Sequence, residues 1–314
     1  MNLNELHWIW LPPAAAFAAW SGLKWLRKEL TPSPLEHPPA PSGIAECIER
    51  VTIPTHNRKT LFAQWIHPCP SGPDAQAVAS GIAILMHGWG GNGSQLMPAA
   101  RALHRQGWHV LLPDARSHGQ SESDTFSSLP RFAEDISATL DWARHTITDA
   151  RLPVLVLGHS LGGAAALLCA SQRSDIQAVI SVSAFAHPEQ VMRRWLAEYR
   201  IPFWPLGWLA NRYIERVIGH RFSAIAPVEC IRKINSKVLI VHGENDTVVP
   251  VECACRLQQA SVSARLLRVP GTHEHFDNEA QLYRTMADWL QETGVINPDT
   301  AAKEALTVAP YPFA

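Results

Sequence analysis

From about residue 46 onward, short apolar runs alternate with segments in which apolar residues recur at helical spacing. Runs that are apolar throughout, which is typical of strands buried on both faces of a sheet, lie at 82–86, 154–157 and 238–241. Helical patterns lie between the runs, near 94–106, 130–145, 161–172, 251–260 and 278–291. This alternation predicts an α/β fold with a mostly parallel, eight-stranded sheet and helices on both of its faces.

One stretch, from about 184 to 235, breaks this alternation because it is too long for a simple connection. We interpret it as a small helical cap over one end of the sheet. It carries a belt of arginines and four large aromatic side chains, Trp195, Phe203, Trp204 and Trp208. These aromatic residues are candidates for an apolar substrate pocket, and ordinary packing of the cap on the sheet is the competing interpretation.

The first thirty residues differ from the rest of the chain. Residues 6–23 carry no Lys, Arg, Asp or Glu, tryptophans lie near both ends of this run, and a basic cluster follows it. The run is at the short edge of a membrane span, and Pro12-Pro13 interrupts the helix that a span requires. One interpretation is a membrane anchor or interfacial helix, which would leave the main domain in the cytoplasm. The other is an apolar arm packed on a soluble cytoplasmic domain.

A proline-rich stretch separates this N-terminal segment from the domain that follows. Residues 31–45 predict a semi-rigid, extended linker rather than a packed element. The domain itself spans 46–292, and a polar tail, 293–314, carries no recognisable signal. We therefore expect the domain to fold and to remain active without residues 1–43.

Charge and cysteine content exclude several classes of function. Lys and Arg number 27 against 28 Asp and Glu, and this balance argues against a nucleic-acid binder, which needs a basic field. Six cysteines in 314 residues form no dense disulfide framework, so we expect mostly reduced thiols. The chain has no H-E-x-x-H zinc motif and no G-x-x-x-x-G-K-[ST] phosphate loop. We expect neither a metal nor an organic cofactor.

The strongest chemical signal is the run V-L-V-L-G-H-S-L-G-G at 154–163. A buried strand leads into G-x-S-x-G, and a helix of small residues follows at once, which predicts a sharp turn that exposes Ser160. The glycines let the flanking backbones approach closely. The helix N-terminus brings backbone N–H groups close to the serine oxygen. Ser160 is therefore the candidate nucleophile.

A serine nucleophile needs a base, and the base needs an orienting acid. Asp246 follows the buried strand K-V-L-I-V-H-G and is the candidate acid, with Glu244 as a second possibility. The base lies in G-T-H-E-H-F, after the last predicted strand, where either His273 or His275 could serve. We favour His273, which directly follows the Gly-Thr turn.

The loop L-M-H-G-W-G-G-N-G at 85–93 supplies the fourth component. Acyl transfer creates an oxyanion, which preorganised backbone N–H groups stabilise. We nominate the N–H groups of Trp89 and Leu161 for this role. His87 is expected to be structural and to fix the loop by a hydrogen bond.

Together these motifs resemble the α/β-hydrolase superfamily, and the resemblance covers roughly residues 46–292. The segment L-P-D-A-R-S-H-G-Q-S at 112–121 is similar to that family's D-x-R-G-x-G-x-S loop, with Asp114 and Arg116 at its structural positions and His118 unassigned. The H-G-W-G-G loop and the V-V-P after the acid look most like those of esterases and serine-aminopeptidase-like hydrolases. The resemblance implies serine-dependent hydrolysis of an ester, thioester, amide or related acyl bond.

We predict a hydrolase that cleaves a carboxylic ester of a small-molecule acyl substrate through an acyl-enzyme. A serine peptidase or amidase is the alternative, in which Glu189, Glu198 or Glu215 of the cap could hold a substrate ammonium group. An acyltransferase would use the same residues. A non-catalytic binding module on the same fold and a membrane scaffold are the remaining alternatives.

Overall fold

The computed structural model describes residues 32, 35–41, 43–68, 79–147, 149 and 151–296. The predicted membrane segment, 6–23, and most of the predicted tail lie outside these residues. Among the helices of the described part, none is both long enough and apolar enough to cross a membrane.

Eight strands form one sheet in the order β1-β2-β4-β3-β5-β6-β7-β8. Their bounds are Ile48–Thr55, Lys59–Ile66, Gly81–Met86, Trp108–Pro113, Val154–His159, Ala178–Val182, Lys237–Gly243 and Ala264–Val269. β2 pairs antiparallel with β1 and with β4, whereas every other adjacent pair is parallel. The predicted eight-stranded, mostly parallel sheet is therefore confirmed.

Helices cover both faces of the sheet. In chain order, α1 to α9 span Met97–His104, Leu129–Thr146, Leu161–Ala170, Pro188–Glu198, Trp208–Ile218, Phe222–Ile225, Pro227–Cys230, Glu252–Ala260 and Glu279–Glu292. Apolar residues of α2, α3 and α8 form one core with one face of the sheet, and those of α1 and α9 form a second core with the other face. Shorter helical turns lie at Ala45–Cys47, His56–Arg58, Gly93–Leu96, Phe203–Gly207 and Ile231–Lys233.

The carboxyl ends of the parallel strands meet at one edge of the sheet. Met86 at the end of β3 is paired with Gly158 of β5, and Gly158 is paired with Ser181 of β6. The loops after β3, β5, β7 and β8 therefore emerge side by side, and these loops carry the chemistry-bearing motifs of the sequence. Open α/β sheets bind ligands at this edge.

The stretch after β6 is helical, as expected for a cap. It contains α4 and α5 and the two short helices α6 and α7. The guanidinium group of Arg194 in α4 donates a hydrogen bond of 2.7 Å to the carbonyl oxygen of Thr247. The cap is thereby joined to the loop that follows β7.

The proline-rich segment is packed on the domain over its described part, which differs from the expected free linker. Nε2 of His37 lies 2.7 Å from Oδ2 of Asp114, and both side chains are almost fully buried. The side-chain amide of Asn92 donates to the carbonyl oxygens of Leu35 and Glu36. Prolines fix the chain in an extended form, but polar groups of the domain hold residues 35–41 in place.

Cys47, just before β1, is disulfide-bonded, whereas the other cysteines of the described residues, Cys169, Cys230, Cys253 and Cys255, are free. Disulfides persist mainly in oxidising compartments. Four of the five described cysteines are thus free, as expected for mostly reduced thiols, and Cys47 is the exception.

Candidate active site

Ser160 lies at the turn between β5 and α3, and its backbone adopts an unusual conformation. Its φ of 53° and ψ of −115° lie outside the regions that L residues normally occupy. The N–H of Ser160 donates to the carbonyl oxygen of Val182 on β6 at 2.8 Å, which helps to hold this conformation. Such backbone strain is maintained only where surrounding contacts enforce it.

The neighbouring glycines are required by close approach of backbones. A Cβ atom at Gly162 would overlap the carbonyl oxygens of Met86 and His87, and one at Gly158 would overlap the backbone of Gly162. These atoms belong to main chain and have no room to move aside. Strand β3, strand β5 and helix α3 therefore pack together only because the two positions lack side chains.

His273 joins Ser160 to Asp246. Its Nε2 lies 3.0 Å from Oγ of Ser160, and its Nδ1 lies 2.7 Å from Oδ2 of Asp246. The side chains of His273 and Asp246 are buried. His275 is exposed, so the structure brings His273, and not its rival, to the serine. Glu244, the second candidate acid, is also exposed and pairs with Arg268.

Asp246 is held in its ionised form by hydrogen bonds. Burial alone would raise the pKa of Asp246. Hydrogen bonds from the imidazoles of His242 and His273 and from the N–H of Val249 outweigh burial and keep this pKa well below its usual range. Its Oδ1 accepts from the N–H groups of Val248 at 2.9 Å and Val249 at 2.7 Å. The carboxylate is therefore charged at neutral pH and fixed toward His273.

Two histidines that sequence reasoning missed brace this arrangement. Nε2 of His242, fully buried at the end of β7, lies 2.8 Å from the carbonyl oxygen of Val249 and 3.3 Å from Oδ2 of Asp246. Nε2 of His159 donates to the carbonyl oxygen of His273 at 2.8 Å, and burial lowers the pKa of His159. Their signal in the sequence is a histidine near the end of an otherwise apolar strand.

The loop after β3 lies directly against Ser160. A Cβ atom built on Gly88 would be 3.2 Å from Cβ of Ser160, so Trp89 begins the loop beside the serine. Leu161 is the first residue of α3, where the N–H groups of a helix have no partner within the helix. The positions nominated for an oxyanion site, Trp89 and Leu161, thus flank Ser160 from two sides.

His87 fixes this loop, and its expected structural role is confirmed. Its Nε2 accepts from the N–H of Ala115 at 3.0 Å, so the ring proton is on Nδ1, which donates to the carbonyl oxygen of Gly88. Burial, together with nearby His118, lowers the pKa of His87 to about 4. The neutral ring is therefore the form present in the folded protein at neutral pH.

The segment after β4 supports the same loop. Oδ1 of Asp114 accepts from the N–H of Gly93 at 2.8 Å, and Nε of Arg116 donates to Asp135 at 2.7 Å. The ring of His118 is buried between those of His87 and Phe132, and its role is packing in this cluster. Asp114 and Arg116 thus have the structural positions that the sequence predicted.

A small cavity of about 80 Å³ lies behind His159. It is bounded by α1, α9 and the loop after β8, with His159, Phe276, Tyr283 and Met286 among its walls. None of the four cap aromatics predicted to bind substrate lines this cavity. Phe203 is stacked under Arg193, and Trp204 and Trp208 are exposed. Their assignment to a substrate pocket stays a prediction.

One group of potential metal ligands occurs among the described residues. Ligand atoms of His159, His273 and Glu274 lie within 4.8 Å of one another. His159 already donates to the carbonyl oxygen of His273, and the ring of His273 contacts Ser160 and Asp246. The group therefore fits the hydrogen-bonded site better than a metal centre.

Comparisons with known proteins bear on the fold and on the type of protein. The family described as serine aminopeptidase, S33, matches residues 77–221. The uncharacterized protein YqkD of Bacillus subtilis (strain 168) is 31% identical over 189 residues, which cover 59% of this chain and 62% of the Bacillus protein. This chain thus matches less than two thirds of that relative's length.

Two solved esterases share the fold. The Pyrococcus furiosus esterase Pf2001 superposes with a TM-score of 0.66 at 18% identity, over 83% of this chain and 98% of the esterase. Est1E of Butyrivibrio proteoclasticus, solved with ferulic acid, superposes with a TM-score of 0.63 at 22% identity, over 77% of this chain and 98% of Est1E. Together these similarities support a hydrolase. The chain therefore has the α/β-hydrolase fold.

Proposed function

We propose that this chain is a serine hydrolase that cleaves carboxylic esters through an acyl-enzyme. Ser160 is the nucleophile, His273 the general base and Asp246 the orienting acid. The observation that carries this proposal is the continuous hydrogen-bonded chain from Asp246 through both ring nitrogens of His273 to Oγ of Ser160.

The first step is attack of Ser160 on the acyl carbon. Neutral His273 carries its proton on Nδ1, which donates to Asp246, so Nε2 is free to take the Ser160 proton. The ionised Asp246 stabilises the imidazolium that forms. The imidazolium then protonates the leaving alcohol oxygen as the ester C–O bond breaks. Water activated by the same imidazole releases the acid and restores Ser160.

The oxyanion formed in each step needs donors that are already in place. The N–H groups of Trp89 and Leu161 are suited to this role, because Trp89 lies in the loop against Ser160 and Leu161 begins helix α3. The positive end of the helix dipole adds to the stabilisation. Loss of one oxyanion donor typically lowers the rate by about 10²–10³-fold.

Two observations bear on the choice between ester and amide. The matching family is described as a serine aminopeptidase, which favours a peptidase, whereas the solved neighbours are esterases. An aminopeptidase would need a free carboxylate for the substrate ammonium group. In the cap, Glu189 pairs with Arg193 at 2.8 Å, and buried Glu215 pairs with Arg212 at 3.0 Å. Arginine neutralises these two carboxylates, whereas the third candidate, Glu198 at the end of α4, is exposed. We favour the ester because the solved neighbours are esterases.

The test is hydrolysis of p-nitrophenyl acyl esters of increasing chain length, compared with aminoacyl p-nitroanilides. Wild type and Ser160→Ala are measured side by side. Serine-dependent turnover of the esters, with little turnover of the anilides, is expected. Preference for the anilides would support the peptidase instead, and equal ester turnover by Ser160→Ala would contradict the mechanism.

A further inference from the structure

The cap presents an apolar surface that the proposed chemistry does not use. Trp204, Leu206, Trp208 and Leu209, here called the cap patch, are each between 40% and 71% exposed. These four exposed large apolar side chains lie within six residues. Contiguous exposed apolar surface commonly marks a site of interaction. We propose that the cap patch docks onto the surface of an anionic lipid bilayer.

The patch is continuous and is supported from beneath. The rings of Trp204 and Trp208 have centroids 5.6 Å apart. Between them in the chain, Gly207 is buried, and a Cβ atom there would lie 2.7 Å from Cδ1 of Leu196 in α4. The backbone is therefore pressed against α4 while the neighbouring side chains point outward. The cap holds these residues on its outside without burying them.

Helix α5 continues the patch with a face suited to a membrane interface. Asn211, Ile214 and Glu215 form its buried side. Leu209, Arg212 and Arg216 recur at i, i+3 and i+7 and are all exposed, so they share the opposite side. A face that combines apolar and arginine side chains is typical of helices that lie in the bilayer interface.

Arginines also contact the aromatic rings of the cap. The guanidinium carbon of Arg193 lies 3.4 Å from the ring centroid of Phe203, and that of Arg212 lies 5.9 Å from the ring centroid of Trp208. Both arginines also pair with glutamates of the cap, so the net positive charge offered to lipid is the excess of arginine over glutamate. In a bilayer, tryptophan rings occupy the headgroup region, where arginines reach lipid phosphates.

The charge of the cap favours anionic lipid over other occupants. Residues 188–221 contain six Arg, three Glu, and neither Lys nor Asp, whereas the whole chain has a net charge of −1. The segment that carries the patch thus has a net charge of +3, six Arg less three Glu.

The test reports on the patch itself, in the full chain, and does not depend on catalysis. Leu206→Cys is labelled with the environment-sensitive dye NBD in a Cys255→Ser background, because the other free cysteines of the described residues are buried. The matched control carries the dye at Val262→Cys, a fully exposed apolar position between α8 and β8. Vesicles of phosphatidylcholine with or without phosphatidylglycerol are then added.

With phosphatidylglycerol vesicles, we expect several-fold brighter, blue-shifted emission at position 206 and no change at 262. Partitioning should weaken by about 100-fold without the anionic lipid, since about three net charges contribute. Trp204→Ser combined with Trp208→Ser should abolish the change at position 206. Mass spectrometry checks the labelling site, and circular dichroism checks that each variant is folded.

Three results would overturn the proposal. Emission at 206 that is unchanged by vesicles, or equal changes at 206 and 262, would exclude docking through the patch. A dye at 206 that is already in an apolar environment without lipid would mean that protein covers the patch. If that signal changes when the protein is diluted, the patch is covered by a second copy of the chain. If it does not change, the patch is covered by another segment of the same chain.

Discussion

At the scale of single residues, the site depends on the side-chain environment of each group rather than on residue type alone. His273 and His275 are two residues apart, yet only His273 is buried between Ser160 and Asp246. The sequence favoured His273 from the Gly-Thr turn before it but left the rival open. What separates the two is a contact between residues 113 positions apart, which no local pattern contains.

His273→Ala should therefore lower kcat/KM by about 10⁴-fold or more, because the base and the acid act as a unit with the serine. His275→Ala should change kcat/KM by less than about threefold, as for a surface substitution. Steady-state kinetics on the best p-nitrophenyl ester measures both. The reverse ranking would transfer the role of base to His275.

Because the ring of His87 is buried, we expect the free energy of unfolding to depend on pH through this residue. Its pKa falls from 6.5 to about 4 in the folded protein because the ring is fully buried. Between these values the unfolded chain binds a proton that the folded protein does not, so acidification lowers the free energy of unfolding, by about 3 kcal/mol once the pH is below 4. Above pH 6.5 the effect is absent.

His87→Gln keeps an acceptor near the Ala115 N–H but does not titrate. In urea unfolding between pH 7 and pH 4, the free energy of unfolding of this variant should fall less steeply than that of wild type. The difference in slope corresponds to about one proton fewer taken up on unfolding. An unchanged slope would mean that His87 binds its proton in the same pH range in the folded and the unfolded chain.

At the scale of secondary-structure elements, the strand–turn–helix unit around Ser160 was predictable, because its signal is local. G-x-S-x-G follows a buried strand and precedes a helix of small residues, and β5 and α3 have these positions. A histidine near the end of an apolar strand marks both His159 and His242 in the sequence, but their contacts with His273 and Asp246 were not predictable, since each depends on how separate loops meet at the edge of the sheet. The exposure of Trp204 and Trp208 was missed for the same reason: apolar side chains in a cap predict burial unless the packing of the cap is known.

Gly162→Ala tests how closely these elements must approach. The added methyl group overlaps main-chain oxygens of Met86 and His87, so the serine turn or the loop before Trp89 must shift. A displacement of about 1 Å in a catalytic group can lower the rate by about 10²-fold. We expect at least this loss in kcat/KM.

Gly219→Ala is the matched control. Gly219 has a φ of 76° at the end of α5, and a Cβ atom there would meet nothing within 4 Å. Stability should fall by about 1 kcal/mol while the activity of the folded protein is retained. Equal activity of the two variants would show that the close approach at Gly162 does not position the site.

At the scale of the whole molecule, the proline-rich segment contacts the domain that it precedes. Prolines at 32–41 predicted a free linker, but the buried pair of His37 and Asp114 joins this segment to the domain across 77 positions. Asp114 also accepts from the N–H of Gly93 in the loop beside Ser160. The N-terminal segment therefore contributes indirectly to the site.

Two truncations test this boundary. Removal of residues 1–34 keeps His37 and its contact with Asp114 and serves as the reference. Removal of residues 1–43 leaves the buried carboxylate of Asp114 without that partner and should cost about 1–3 kcal/mol. Urea unfolding of both truncated chains measures the difference, and equal stabilities would show that the segment is only a linker.

Covalent labelling tests whether Ser160 is the nucleophile. Wild-type protein is treated with a fluorophosphonate, digested, and analysed by mass spectrometry, with Ser160→Ala as the control. A single adduct on Ser160, with none on Ser160→Ala and loss of ester hydrolysis in step with labelling, is the predicted result. An adduct on another residue, or hydrolysis that persists after complete labelling, would contradict the account.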